Sequence, residues 1–271
     1  MITPMTELVY EQPLNEKIRS YLRLEYLDKQ LQSNLSQDHQ HRCFYPLFSL
    51  CELSERCDYR NEILKDIERH LLQLNKWQEL DSADHQQINI YINALTQARE
   101  PLQKPERFGS QLKQDRFISA LRQRFGMPGA CCNFDLPQLH FWLSKPWEEK
   151  QQDYRAWIAH FEPLLTPIAL LLQLTRSTAH YDNAIAHAGF YQGDSAQALA
   201  LVRVKIDAAH GCYPTISGHK NRFAIHFVQF EHQRHSDRSI DFLLATCAWS
   251  LYTNGLKNIR LDTHHCSNPR E

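Results

Sequence analysis

The chain has 271 residues, 42% of them hydrophobic, enough for a substantial core in one large domain or two unequal ones. Its 30 Lys and Arg stand against 31 Asp and Glu, so no overall field draws it to nucleic acid or anionic lipid, and any electrostatic recognition must come from a local patch. The N-terminal residues lack a basic start followed by an apolar run, no stretch approaches the roughly 20 apolar residues that span a bilayer, and the cysteines show no framework spacing; a soluble, cytosolic protein with reduced thiols is expected.

The segment from Glu7 to Tyr10 is extended in character, and residues 7 to 12 are expected to add a strand to a sheet formed later in the chain. Behind Pro13, the residues Ile18, Leu22, Tyr26, Leu27, Leu31 and Leu35 recur at helical spacing and predict a long amphipathic helix. The polar stretch QSNLSQDHQHR that follows reads as a surface loop. Helical periodicity returns through Ile63, Leu64, Ile67, Leu71, Leu74 and Trp77, and again through Ile88, Tyr91, Ile92 and Leu95. Further helices are predicted over residues 114 to 125, 136 to 143 (opened by Asp135), 147 to 160 and 164 to 175, the last apolar enough to be a buried central helix.

Near residue 188 the texture changes. ALALVRVKID, YPTISGHKNRFAIHFVQF and IDFLLATCAW are short β-prone runs with period-two alternation, separated by Gly and Pro, and predict a small antiparallel sheet. Phe223, Ile225 and Phe227 fall on one face of a strand, Arg222 and His226 on the other. The fold class is therefore α+β, with an N-terminal α-helical bundle domain over residues 14 to 185 and a small antiparallel β-strand domain over residues 186 to 250. Residues 251 to 271 carry turn signals with little apolar periodicity and are expected to form a poorly ordered tail.

Catalytic chemistry is hard to find. There is no P-loop, no G-x-G-x-x-G, no H-E-x-x-H and no paired C-x-x-C, so no cofactor is expected. Cys131, Cys132 and His140 come nearest to a ligand set or a nucleophile and its base. Adjacent cysteines diverge on an extended backbone and chelate one ion poorly, so two small buried thiols are expected here, with a Cys/His-dependent hydrolase or metal enzyme around Cys132 and His140 as the alternative. His264, His265 and Cys266 sit in the tail and read as solvated residues.

The positive signal is charge. Arg19 and Arg23 lie one above the other on the first helix; Glu16 can offset Arg19, whereas Arg23 has no acid four residues to either side. Residues 104 to 124 hold six Lys or Arg (Lys104, Arg107, Lys113, Arg116, Arg122, Arg124) against two acids, a local net of +4. Such a run is either a solvated face or a groove for a carboxylate-rich partner, since guanidinium forks take carboxylates bidentately. Nucleic acid is the rival partner, but no RRM, KH or zinc-finger signature accompanies the patch and none is expected to bind.

The segments YEQPLNEKIRSYLRLEYL, QDRFISALRQRFGMPGACCNFDLPQLHFWL, AGFYQGD and YPTISGHKNRFAIHF, in that order, resemble the ZapD family of Z-ring-associated cell division proteins over about residues 7 to 247. The resemblance implies a symmetric homodimer with an α-helical and a β-strand domain, without enzymatic activity or cofactor, located in the cytoplasm at the division site. It further implies a basic pocket that binds the C-terminal peptide of FtsZ, so that FtsZ filaments are cross-linked into bundles. On the matching motifs the pocket falls to Arg23, Arg116 and His140, with Arg19, Lys220 and Arg222 as neighbours. One departure is His226, where the family motif leads one to expect arginine; a cationic contribution from that strand would depend on pH.

Overall fold

The computed structural model describes residues 7–38, 40–80, 84–177 and 179–248; the tail expected to be poorly ordered, residues 251 to 271, lies outside them. In chain order the elements are β1 (Glu7–Pro13), α1 (Glu16–Ser36), α2 (Phe44–Arg56), α3 (Arg60–Gln78), α4 (His85–Arg99), α5 (Arg116–Phe125), α6 (Pro137–Leu143), α7 (Trp147–Ala159) and α8 (Glu162–Ser177). These are followed by β2 (Asp182–Ala186), β3 (Phe190–Asp194), β4 (Leu199–Asp207), β5 (Cys212–His219), β6 (Arg222–Gln229), β7 (Arg234–His235) and β8 (Ile240–Ala248). The class is α+β: helices first, then antiparallel strands, with β1 alone preceding the helices. The chain divides into two compact units, one of them drawn from Tyr21–Leu71 and Tyr91–Leu171, the other from the described parts of Met1–Ser20, Leu72–Ile90 and Leu172–Glu271.

The second of these units holds the strands. Where a single small sheet was expected, two form, in the orders β1-β4-β8-β2 and β3-β6-β5, with β7 added on β6. The reason is burial. Val202, Val204, Ile206, Ile240, Phe242 and Leu244 from the first sheet and Phe223, Ile225 and Phe227 from the second form one apolar cluster, and neither face could be buried by its own sheet. The N-terminal strand joins the first sheet, running antiparallel to β4 from Glu7 opposite Asp207 to Pro13 opposite Leu201. It also delivers Glu11, whose carboxylate accepts from Arg176 (Nε 2.8 Å, a terminal nitrogen 2.7 Å) and from Arg203 Nε at 2.8 Å. All three side chains are less than a fifth exposed, so one carboxylate neutralises two nearly desolvated guanidinium groups.

The helical unit is built on an aromatic cluster. Phe44 is fully buried, and its ring lies 5.1 Å from Trp142, 5.7 Å from Phe48 and Trp157, 6.1 Å from Phe117 and 6.2 Å from Phe125. Helix α2, which carries Phe44, has no counterpart among the sequence-based expectations. Its residues Phe44, Leu47, Phe48, Cys51 and Ser54 form a buried face at helical spacing, widened by Pro46 and Leu50, with Tyr45, Glu52 and Arg56 exposed opposite. Pro46 falls in the first turn, where a missing N–H costs little. Tyr154 ties α7 to this core by donating to the Cys43 carbonyl at 2.8 Å while accepting from Asn34.

Helix boundaries differ from expectation in two places. α1 runs to Ser36, into the stretch read as loop, and buries Ile18, Tyr21, Leu24 and Leu31, leaving Tyr26 exposed on the opposite side. On the buried face Tyr21 donates to Asp66 at 3.0 Å, and burial together with that carboxylate raises the phenol above its ordinary range. At α6, Asp135 is not the cap. The N-cap is Leu136 without a side-chain bond, and Pro137 at the first helical position leaves one donor fewer to satisfy. Asp135 instead accepts from Arg124 at 3.2 Å and from the Cys132 thiol at 3.3 Å.

Two substitutions test these anchors in equilibrium unfolding of the purified protein. Phe44→Ala, which empties the centre of the aromatic cluster, is expected to cost about 3–5 kcal/mol. Glu11→Ala, which leaves two enclosed guanidinium groups facing each other, is expected to cost about 3 kcal/mol, while Arg19→Ala at an exposed pair costs under about 0.5 kcal/mol.

Candidate functional site

The basic run at residues 104 to 124 separates in three dimensions into neutralised and free charges. Glu55 on α2 receives a two-pronged bond from Arg122 at 2.5 and 2.8 Å and a looser contact from Lys113 Nζ at 3.4 Å, and its backbone carbonyl accepts from Arg107 at 3.1 Å. The Arg122 hydrogen bonds, outweighing partial burial, hold the Glu55 carboxyl below its ordinary value, with Lys113 adding to the effect. Arg124 bonds Asp135 and its carbonyl. Three of the six cations thus converge on one acid that lies more than fifty residues away in sequence.

Arg116 escapes this. It is the first residue of α5, exposed, with no ion pair or side-chain hydrogen bond among the described residues. The helix end that carries it is fixed by Asp115, which caps Ile118 N at 3.0 Å and accepts from Trp157 Nε1 at 3.3 Å. The next residue, Phe117, packs 6.0 Å from Trp142 on α6. That contact makes α5 and α6 neighbours and sets His140 on the solvent side of α6, where Leu139 and Trp142 bury the other side. Beside His140, Phe141 is 70% exposed, and Phe134 just before the helix is 81% exposed.

Arg23 is exposed on α1 in the same helical unit and likewise holds no described carboxylate. Its charge reaches Tyr59, whose phenol is pushed up to about 12, chiefly by burial and by Cys57, with Arg23 pulling the other way. The other three expected contacts belong to the strand unit. Arg19 is spent on Glu16, Nε to carboxylate 3.2 Å. Lys220 and Arg222 flank the β5–β6 turn, both exposed, with Arg222 opposite Asp194 on β3 and His219 on β5. His226 lies half-buried on the outer face of the same sheet, its ring 4.7 Å from Phe190 and 4.9 Å from His235.

The alternative centre around Cys132 and His140 does not assemble as a nucleophile and base. The Cys132 thiol donates to Asp135, and burial and its neighbour raise the Cys131 thiol above its ordinary value. Both are half-buried, where buried thiols were expected, because the turn that carries them is held at the surface by the Arg124–Asp135 pair. Among the described residues no three His, Cys, Asp or Glu side chains are grouped to hold a metal ion, and no single helix is long and apolar enough to cross a membrane. Sequence reasoning missed Glu55, which is one acid among many until the fold brings it to the basic run.

Comparison with known proteins matches most of the chain. The ZapD family model, described as a cell division protein, matches residues 22–226. The "Cell division protein ZapD" of Shewanella baltica (strain OS185) is 93% identical over 244 residues, covering 90% of this chain and all of that protein. That of Shewanella oneidensis is 84% identical over the same length, and that of Vibrio parahaemolyticus is 42% identical over 247 residues, again covering 90% of this chain and all of the relative. The chain belongs to the ZapD family of cell division proteins.

Proposed function

We propose that this protein is a non-catalytic, homodimeric adaptor that binds the C-terminal tail of FtsZ through exposed cations of its helical unit and bundles FtsZ filaments at midcell, in the cytoplasm. The observation that carries this reading is the survival of Arg23 and Arg116 as exposed guanidinium groups without described carboxylate partners, while Arg122, Arg124 and, more loosely, Lys113 are paired internally. A guanidinium without an internal carboxylate keeps its planar donor fork available to take a partner's carboxylate bidentately, at the cost of ordering one long side chain. His140 and Phe141 on α6 add a polar and an apolar contact beside it; Lys220 and Arg222 of the strand unit contribute secondary charge, and Arg19, paired with Glu16, contributes less.

Two copies of such a site on one dimer suffice for bundling. A filament presents many tails, so weak single contacts are multiplied by effective concentration, and a dimer engaging two filaments holds them together without any chemical step.

Sedimentation with FtsZ polymers tests the reading. The parent protein is expected to co-pellet and to thicken the filaments seen by light scattering. The double variant Arg23→Ala, Arg116→Ala is expected to lose at least about tenfold in affinity while melting like the parent, each charged contact being worth roughly 1.5–3 kcal/mol. Co-pelleting should also fall as salt rises, because the Debye length shrinks from about 10 Å at 0.1 M to about 3 Å at 1 M. Affinity that ignores both the double substitution and the salt would remove the basic site from the mechanism.

A further inference from the structure

In the helical unit a half-open cavity of about 260 Å³ lies between the short 3-10 turn Ser110–Lys113 and α5. Cys51, Leu112 and Ile118 give it apolar walls, and Lys113, Ser119 and Arg122 give it a polar rim. Burial pushes the Cys51 thiol up to about 11, so this wall is neutral near pH 7. The two cations share a single carboxylate, Glu55, and share it unequally. Arg122 takes both oxygens at 2.5 and 2.8 Å, whereas Lys113 stands 3.4 Å away with its side chain 60% exposed. The rim therefore keeps an excess positive charge, held on the ammonium that is least committed and most accessible.

We propose that this cavity is an anchor pocket for an acidic peptide: one apolar side chain of the peptide enters between Leu112 and Ile118, and a carboxylate close to it in sequence docks on Lys113. The pocket rests on the adaptor reading above and deepens it, because Ser119 on the rim lies three residues after Arg116, on the same side of α5. A tail held by Arg116 passes over the cavity mouth. The division of labour is physical. A surface cation pair is screened and gives orientation and on-rate, while an enclosed apolar anchor supplies most of the affinity that a short flexible peptide can gain. Arg122 is not a contact in this scheme; bound to Glu55, it shapes the rim and keeps Glu55 from capturing Lys113 fully.

The experiment measures fluorescence anisotropy of a labelled FtsZ C-terminal tail peptide against the full-length protein and three variants, each checked by thermal melting. Lys113→Glu reverses the rim charge at an exposed side chain, Ser119→Phe fills the mouth, and Arg116→Ala removes the proposed neighbouring contact. Lys113→Glu and Ser119→Phe are each expected to weaken peptide binding by about tenfold, and the deficit of Lys113→Glu shrinks in high salt while that of Ser119→Phe does not. If Ser119→Phe melts early, Lys113→Glu alone carries the test. Should the parent bind, Arg116→Ala bind poorly, and the folded pocket variants stay within about twofold of the parent, the pocket is refuted and the adaptor stands. Failure of the parent itself to bind the peptide overturns the adaptor reading, and the pocket with it.

Discussion

The ring of Phe44 is the point on which the helical unit turns. Five aromatic side chains from α2, α5, α6 and α7 surround it at centroid distances between 5.1 and 6.2 Å. Close-packed aromatic clusters of this kind combine large buried area with preferred tilted and edge-on geometries, which limits how far the contributing helices can slide. Phe117 and Trp142 belong to the cluster, and Arg116 and His140, one and two residues from them in sequence, lie on the outward side. The position of the proposed contacts is thus a consequence of core packing one or two residues away, a precision that a loop could not supply.

Electrostatics complete what packing begins. A cluster of like charges on one surface would repel and fluctuate; Asp135 and Glu55 reduce that tension by taking Arg124 and Arg122, with Lys113 held only loosely. The remaining exposed cations then act singly, at defined places, as specific recognition of a carboxylate requires. In the strand unit Glu11 does the same for Arg176 and Arg203, with the difference that these groups are enclosed, so the charges serve cohesion and not recognition.

Much of the fold was legible from periodicity. The helices at α3, α4, α5, α7 and α8 and the strands β4, β5, β6 and β8 all coincide with apolar patterns of the right period. Helix α2 was not among the expected helices, although its buried Phe44, Leu47, Phe48 and Cys51 recur at helical spacing. The face of α1 was misjudged: Tyr21 lies with Ile18, Leu24 and Leu31 on the buried face, where it also meets the Asp66 carboxylate, and Tyr26 lies outside it.

The site divides in the same way. Sequence alone determined that charge is concentrated at residues 104 to 124, that Arg23 lacks a local acid, and that long collinear motifs resemble the ZapD family, since these depend on residues within a few positions of one another or on extended sequence identity. Tertiary structure alone decided which cations remain free, because the carboxylate that pairs with Lys113 and Arg122, that of Glu55, lies more than fifty residues upstream of both. It decided likewise that one sheet becomes two. Charge pairing and face-to-face burial act through space at a few ångströms, and chain separation places no limit on which residues meet there.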